Sequence, residues 1–330
     1  MLSRVAEHLF WISRYIERAE TVARLLDAAR RMSALPWNMG EKPSNEWASI
    51  LIAAGAKDEF GEDIERATAG VAIDYLVFNR DNPSSIMSSF HQARENGRAI
   101  RFALTQDCWE ALNGTWSEAR VMASQPHTPA GLADIVDWAK QASATFRGAV
   151  NGSFLRGDGY EFMSMGVAIE RTDATARLLD VKYHVLLPSV EDVGSGKDHY
   201  QWLSLLQAAA AQRAYFHVTQ NDISARGVAE FLIMNDRFPR SICYNVMRTE
   251  RAVKTLAEFY GHTNDCQARV SAFADSLGKQ SVDGIFAYGL HEFLTDVIEQ
   301  NYAVSSLLGS AYGFTLVSEE TGNGEENLGQ

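Results

Sequence analysis

The amino-acid sequence predicts an all-α protein, a helical bundle built from two duplicated multi-helix repeats that pack together. Apolar residues recur at helical spacing along most of the 330 residues, and strand-like alternation is nearly absent. Short blocks of the first half also recur, in the same order, in the second half. A duplicated helical unit explains these observations together.

Helical periodicity begins at the amino terminus. Val5, Leu9, Ile12 and Ile16 follow the i, i+3, i+4, i+7 spacing of one helix face. The same spacing predicts further helices near residues 45–57, 62–79, 86–104, 107–124, 130–152, 158–187, 199–219, 226–234, 239–260, 264–276 and 284–309. Residues 312–317 are the one short strand candidate.

Proline positions agree with these segments. All seven prolines fall between periodic segments, as expected because proline is excluded from helix interiors. Asn82-Pro83 and Thr128-Pro129 are predicted to be N-cap and first-turn pairs.

The clearest sign of duplication is a twelve-residue block. Residues 16–27 read IERAETVARLLD and residues 169–180 read IERTDATARLLD, identical at eight of twelve positions with an offset of 153. Two further pairs of blocks follow in the same order, WASILIAAGA with WLSLLQAAAA at an offset of 155 and YLVFNRDNPSSI with FLIMNDRFPRSI at 156. Because the offset drifts by only three residues, a chance match of helical composition is the weaker explanation.

These offsets predict the domain organisation. One helical repeat is expected over 1–155 and a second over 156–316, with close packing between them because no Pro/Gly-rich linker separates the two. The remaining residues, 317–330, are acidic and lack apolar periodicity, so a disordered tail is expected there.

Composition argues against several classes of function. The net charge of −12 argues against general binding to nucleic acid or to anionic membranes, because both need clustered Lys and Arg. No apolar stretch approaches the ~20 residues that span a bilayer, and charges interrupt the amino-terminal segment where a signal peptide needs an apolar run. Three widely spaced cysteines favour a reducing compartment. A cytoplasmic location is therefore predicted.

Searches for metal and cofactor motifs are negative. The eight histidines show no i, i+4 pairing of the kind that binds zinc on a helix. The sequence contains no phosphate-binding glycine loop, no nucleophile elbow and no dinucleotide fingerprint. We therefore predict no metal and no cofactor.

The repeated block carries charged residues that can face one another or a ligand. Glu20 and Arg24 lie at i, i+4 with the acid before the base, and Asp173 and Arg177 do the same. Either pair can be an exposed ion pair worth roughly a few tenths of a kcal/mol or part of a functional site.

The adjacent Glu-Arg pairs lack such support within their own helices. Glu170 and Arg171 have no oppositely charged residue three or four positions away, and Arg18 has no carboxylate there. We expect their partners to lie on other helices or on a ligand, so a structural network between helices and a ligand-binding or catalytic site both remain open. Glu17 and Glu170 are the candidates for a catalytic role as general base.

A stripe of arginines is the second candidate feature. Arg94, Arg98 and Arg101 fall within about 60° on one side of the helix predicted after Pro83. Stacked guanidinium groups repel one another unless negative charge compensates them. Glu17 and Glu170 could supply that charge, or a phosphate or carboxylate ligand bound in bidentate fashion. A solvated basic face is the alternative. The second half keeps only part of the stripe, which suggests one site; its arginines in the equivalent region are Arg240, Arg248 and Arg251.

The predicted ligand-binding residues come from these two features. They are Glu17, Arg18, Arg24, Arg94, Arg98, Arg101, Glu170, Arg171 and Arg177.

Several of these blocks resemble the Alpha-E family, a bacterial helical domain named for a Glu-Arg motif. The resemblance rests on MLSRVAEHLFWISRYIERAETVARLLD, on NPSSI with ARENGRAIR and WEALN, and on IERTDATARLLD with FLIMNDRFPRSI, and it covers residues 1–310. The motif maps onto Glu17-Arg18 and Glu170-Arg171. One departure is Gly97, where alanine would be commoner and which mildly weakens a helix. Another is FMSMGVA before Glu170, which lacks the aromatic-rich run that precedes Glu17.

What the resemblance implies is a context and not a reaction. Members of the family are typically encoded beside, or fused to, a circularly permuted ATP-grasp ligase and a transglutaminase-like peptidase. This implies an accessory or binding role in forming or handling amide-linked peptides, in which the chain holds a carboxylate or a phosphorylated intermediate. The alternatives are an enzyme acting on peptide or amide bonds, with a Glu general base and Arg stabilisers, and a purely structural helical scaffold.

Overall fold

The computed structural model describes residues 1–34, 45–124, 131–185, 196–220 and 223–314. Within these ranges it contains helices and no strand, which confirms the all-α prediction. The α-helices are α1 Ser3–Ser33, α2 Glu46–Ala53, α3 Lys57–Phe60, α4 Ala69–Ile73, α5 Ile86–Ala99, α6 Gln106–Ala123, α7 Leu132–Ser153, α8 Asp158–Val185, α9 Gly196–Ala208, α10 Gln212–Thr219, α11 Ala225–Met234, α12 Ile242–Tyr260, α13 Asp265–Gly278, α14 Val282–Tyr288 and α15 Leu290–Tyr312.

Three segments that were predicted as single helices are interrupted. The segment 62–79 divides into a 3₁₀ turn at Gly61–Arg66, α4, and a π-helical turn at Asp74–Phe78. Ala210 adopts a φ of 52° between α9 and α10, and Gly289 adopts a φ of 118° between α14 and α15. A positive φ at either residue breaks the right-handed helix, and apolar periodicity does not reveal such a break.

The helices form two similar four-helix groups. In the first group, α1 packs on α5 and α7, and α6 also packs on α5 and α7. In the second group, α8 packs on α12 and α15, and α13 also packs on α12 and α15. The buried apolar side chains of both groups form one continuous core. The two groups contain corresponding helices in the same order, although duplication and the boundaries 1–155 and 156–316 stay predictions.

The two groups meet along α1 and α8, which form the most extensive helix pair of the structure. The short helices α2 and α9 each pack against both of them. A Cβ added to Gly166 of α8 would overlap the carbonyl oxygen of Phe10 and lie 3.1 Å from the Ser13 Cβ. The absence of a side chain at Gly166 therefore lets the two helix backbones approach closely.

Similar serine caps begin α5 and α12. Ser85 accepts a hydrogen bond from the Ser88 amide, and Ser241 accepts one from the Tyr244 amide. The prediction that Asn82 is an N-cap is therefore wrong. Its side chain accepts from the Ser84 amide in a turn before the cap, because Ser85 is the residue that reaches the free amides of the first turn.

Other expectations fall partly or wholly on parts of the chain that are not described. Thr128-Pro129 and the tail 317–330 lie outside the described residues, as do residues 315–317 of the strand candidate. Gly97 has a clearer role than mild helix weakening, because a Cβ there would lie 2.7 Å from Leu112 Cδ1. The glycine makes room for the packing of α6 on α5.

Candidate functional site

The two Glu-Arg motifs pair reciprocally across the contact between α1 and α8. Glu17 of α1 forms an ion pair with Arg171 of α8, with 2.9 Å between Oε1 and Nε. Arg18 of α1 forms one with Glu170 of α8, with 2.7 Å between Nε and Oε1. Each motif thus supplies the counter-charge of the other, and the missing partners within each helix are explained by the neighbouring helix.

Glu17 lies at the centre of a larger network. Its side chain is 1% exposed and also contacts Arg240, in the turn before α12, at 2.7 Å. Arg147 of α7 approaches its other oxygen at 3.4 Å. Helices α1, α7 and α8 and the turn before α12 therefore converge on one buried carboxylate.

Glu20 extends this network by one turn of α1. Its side chain has no solvent exposure, and it pairs with Arg24 at 2.6 Å, with Arg240 at 2.8 Å and with Arg147. The pair of Glu20 and Arg24 is thus part of a buried cluster and not an exposed ion pair. The corresponding pair, Asp173 and Arg177, has side chains that are 29% and 40% exposed and lies 2.7 Å apart.

Glu170 has a simpler environment. Both of its arginine partners come from α1, namely Arg18 and Arg14, which lies 2.9 Å away. Arg14 also lies over the ring of Trp11, 4.7 Å from its centroid, and Tyr15 stacks on the same ring at 5.3 Å. Aromatic side chains therefore fill the space around this second ion pair.

The arginines keep the buried carboxylates ionised. Burial alone would raise the pKa of Glu17, but the charges of Arg171, Arg240 and Arg147 hold that pKa well below its ordinary value of 4.5. The pKa of Glu170 is lowered in the same way, because Arg18 and Arg14 outweigh the effect of burial. Burial lowers the pKa of Arg240 to about 10, with Arg171 and Arg24 adding to this while Glu17 and Glu20 oppose it.

A cleft of about 230 Å³ opens beside Glu17. Its polar wall includes three arginines and two tyrosines, and α7, α8 and α12 supply them. These residues are Arg147, Arg171, Arg248, Tyr160 and Tyr244.

Several donors in the cleft have no hydrogen-bond partner within the described part of the chain. Arg147 uses only Nη1, toward Glu17 and Glu20, which leaves its Nε and Nη2 unused. Nη1 of Arg248 and the hydroxyls of Tyr160 and Tyr244 are also without a partner there. A cleft rich in unused donors is suited to anionic oxygen atoms.

Comparison with known families agrees with this motif geometry. A sequence model of the Alpha-E family, described as "a predicted alpha-helical domain with a conserved ER motif", matches residues 1–312. The chain belongs to the Alpha-E family.

Curated relatives extend well beyond the Alpha-E chain. This chain is 26% identical over 325 residues to an uncharacterised protein of Mycobacterium bovis and to one of Mycobacterium tuberculosis. It is 25% identical over the same length to another protein of M. tuberculosis. Each match covers 90% of this chain but 36% of the relative, so the Alpha-E chain spans about a third of their length. No solved structure matches it.

The arginine stripe does not join the site in the Alpha-E structure. Arg94 and Arg98 both pair with Glu95 of their own helix, and Arg98 is 66% exposed. Arg101 lies beyond the end of α5, over the ring of Trp109 at 5.1 Å. The expected offset by Glu17 and Glu170 is therefore not seen, because Glu95 supplies the negative charge locally and α5 ends before Arg101.

Part of this site was predicted from the sequence, and the rest was not. Arg18, Arg24 and Arg171 contact the two Glu-Arg carboxylates or Glu20 as described above, and Arg177 lies at the edge of this region. Arg14 and Arg147 were not predicted as site residues, and Arg147 belongs to no repeated block. Arg240 and Arg248 had been noted only as remnants of the stripe, yet both lie in the site.

The described residues contain neither a metal-binding cluster nor a helix suited to span a membrane. The described residues contain no group of three His, Cys, Asp or Glu side chains placed to hold a metal ion. Among the helices described above, none has both the length and the apolar character needed to cross a lipid bilayer.

Proposed function

We propose that this chain is an accessory binding module that holds the carboxylate or phosphate group of a ligand in the cleft beside Glu17. The observation that carries the proposal is that Arg147 and Arg248, which both have unused donors, line one cleft together with Tyr160 and Tyr244. Arginine side chains in such numbers recognise carboxylate and phosphate oxygens. Of the predicted ligand-binding residues, Glu17 and Arg171 line this cleft.

The charge state of the buried carboxylates favours binding over general-base catalysis. An effective general base has a pKa near the working pH. The pKa of Glu17 and that of Glu170 are both lowered, because two or three arginines contact each carboxylate. Either carboxylate would therefore take up a proton poorly, which leaves an enzyme with a Glu base as the weaker alternative.

The Glu-Arg motifs themselves have a structural role in this proposal. Glu17 with Arg171 and Arg18 with Glu170 hold α1 against α8, and the cleft is formed next to this contact. The scaffold alternative would assign the whole site to this role. It leaves unexplained why unused donors of Arg147 and Arg248 line an open cleft.

The family context supports the choice of partner. The resemblance to Alpha-E members implies an ATP-grasp ligase and a transglutaminase-like protein as partners, and we propose that this chain works with them in the cytoplasm. Amide formation by an ATP-dependent ligase involves carboxylate and phosphorylated intermediates, which are the groups that this cleft would hold. The greater length of the curated relatives, of which the match covers 36%, agrees with a module that works beside other domains.

Two measurements test this function. An ATP-grasp ligase encoded beside the gene should co-purify with this chain, and the chain should change the rate of amide formation by that ligase. Arg147→Ala should reduce the rate effect, whereas the exposed Arg98→Ala should not. Failure of the two proteins to associate, together with an unchanged ligase rate, would remove the proposed partnership.

A further inference from the structure

The cleft lies where the second half of the chain has smaller side chains than the first. At the offset of 153 that relates the two Glu-Arg blocks, Phe10, Trp11, Arg14 and Tyr15 of α1 correspond to four residues of α8. All four line the cleft, and they are Met163, Ser164, Val167 and Ala168.

On the α1 side the larger side chains occupy the corresponding space. Arg14 reaches Glu170 at 2.9 Å, and its guanidinium lies over the Trp11 ring. Tyr15 also stacks on the Trp11 ring, with 5.3 Å between the two ring centroids. No arginine can extend from Val167 toward Glu17, so the corresponding volume is open. The difference between the two helices therefore accounts for the open cleft on the Glu17 side.

The charges around this cleft do not balance. Its network holds three carboxylates and five arginines, so two positive charges are in excess. The carboxylates are Glu17, Glu20 and Glu161, and the arginines are Arg24, Arg147, Arg171, Arg240 and Arg248. Burial and the neighbouring arginines also lower the pKa of Arg240 to about 10, as expected where positive charge is in excess. Partly buried charges of one sign call for a counter-ion.

The dimensions of the cleft limit its ligand. The cleft volume of about 230 Å³ exceeds the ~150 Å³ of a protein cavity that holds one benzene molecule. A small anionic group fits this space, with its oxygens near Arg147 and Arg248. The side chains of these two arginines are 27% and 22% exposed, so an anion can reach them from solvent.

We propose that this cleft is a single binding site for a small dianion, either a phosphate monoester group or a dicarboxylate. The proposal rests on the function proposed above and specifies the charge of the ligand. Arg147 and Arg248 bind the anion directly. The hydroxyls of Tyr160 and Tyr244 donate to it, while Val167 leaves the space that it occupies.

Titration calorimetry at constant ionic strength and about pH 8, where phosphate is a dianion, tests the charge. The probes are inorganic phosphate, succinate and acetate. We expect phosphate or succinate to bind at least about tenfold more tightly than acetate, and the stronger of the two identifies the ligand source. Equal binding of acetate would overturn the dianion inference but leave the binding module intact. No binding of any of the three would remove both proposals.

Two variants test the location. Val167→Arg introduces the counterpart of Arg14 into the cleft. Arg147→Met removes the guanidinium, with its unused donors and its contacts to Glu17 and Glu20, and keeps an apolar side chain at this position. Each should weaken binding of the preferred dianion at least about tenfold, whereas Arg98→Met, an exposed arginine on α5, should leave it unchanged. If Val167→Arg does not fold, as judged by circular dichroism, Arg147→Met decides. Unchanged binding in the folded variants would place the anion elsewhere and overturn the inference.

Discussion

The two Glu-Arg motifs use the same dipeptide in different surroundings. On the Glu17 side, buried carboxylates meet arginines from α1, α7, α8 and the turn before α12, and a cleft stays open. On the Glu170 side, one carboxylate meets two arginines of a single helix, and Trp11 and Tyr15 fill the neighbouring space. The motif thus joins the helices on both sides, while the residues around it decide which side has room for a ligand.

Removing the central carboxylates should show the largest difference between the two sides. Glu17→Ala leaves the buried Arg171 without a carboxylate and leaves Arg147 and Arg240 with Glu20 alone. Because this adds to the excess of positive charge there, we expect a loss of about 3–5 kcal/mol in the free energy of unfolding. Glu170→Ala leaves two arginines and should cost less. Urea denaturation of both variants and the wild type measures this. Equal losses would mean that the two networks contribute equally.

The close contact between α1 and α8 can be disturbed without changing any charge. Gly166→Ala adds a methyl group that overlaps the Phe10 carbonyl, so we expect a loss of about 1–3 kcal/mol in stability. Gly148→Ala on α7 is the matched control, because a Cβ there meets nothing within 4 Å. The control should be neutral or stabilising by up to about 1 kcal/mol. A similar loss in both variants would argue against the close approach.

Acid should lower the stability of the protein, mainly through the Glu17 side, which has more buried carboxylates than the Glu170 side. The pKa values of Glu17, Glu20 and Glu170 are lowered in the folded state, since nearby arginines outweigh burial. Below the ordinary value of 4.5, the unfolded chain binds protons that the folded chain does not, so stability falls as the pH falls. Urea unfolding from about pH 7 to about pH 3 measures this slope.

Two variants test which carboxylates cause the loss of stability in acid. Glu17→Gln should be less stable at neutral pH but should show a shallower loss with acid, because the carboxylate that resists protonation is gone. Asp137→Asn, whose side chain is 77% exposed, should keep the wild-type slope. An unchanged slope in Glu17→Gln would show that other carboxylates carry the acid sensitivity.

The smallest effect is expected at Asp173, the partly exposed counterpart of Glu20. Asp173→Ala removes an ion pair with Arg177 whose side chains are 29% and 40% exposed, so stability should change by at most about 0.5 kcal/mol. Glu20→Ala, which removes a carboxylate with no exposure, should cost several times more. Thermal melting of both variants gives the comparison, and a large loss at Asp173 would contradict it.

The sequence indicated the fold and the centre of the site for physical reasons. The period of apolar residues predicts helices, and the lack of partners around Glu170 and Arg171 correctly pointed to another helix. Arg147 could not be found in this way, because a single arginine on an amphipathic helix looks the same whether it faces solvent or a buried carboxylate. The stripe of Arg94, Arg98 and Arg101 lies apart from Glu17 and Glu170, because Glu95 pairs with the first two and α5 ends at Ala99. Its role in ligand binding stays a prediction.

The sequence contained one indication of the cleft, namely the missing aromatic residues before Glu170. Comparing the two repeated blocks showed that the run before Glu170 lacks the aromatic residues that precede Glu17. Only the positions of α7 and α12 beside the cleft show that Ser164, Val167 and Ala168 of α8 leave a volume there. Side-chain size can be read from a sequence, but whether a neighbouring helix closes the gap depends on three-dimensional packing.

Reciprocal pairing restricts how the two halves can change over time. A substitution at Glu17 leaves Arg171 without its carboxylate, and one at Arg18 does the same to Glu170. Acceptable replacements at these four positions must therefore arise as matched changes on both helices. Positions away from this contact can vary independently in the two halves, whereas the four residues of the two dipeptides depend on one another.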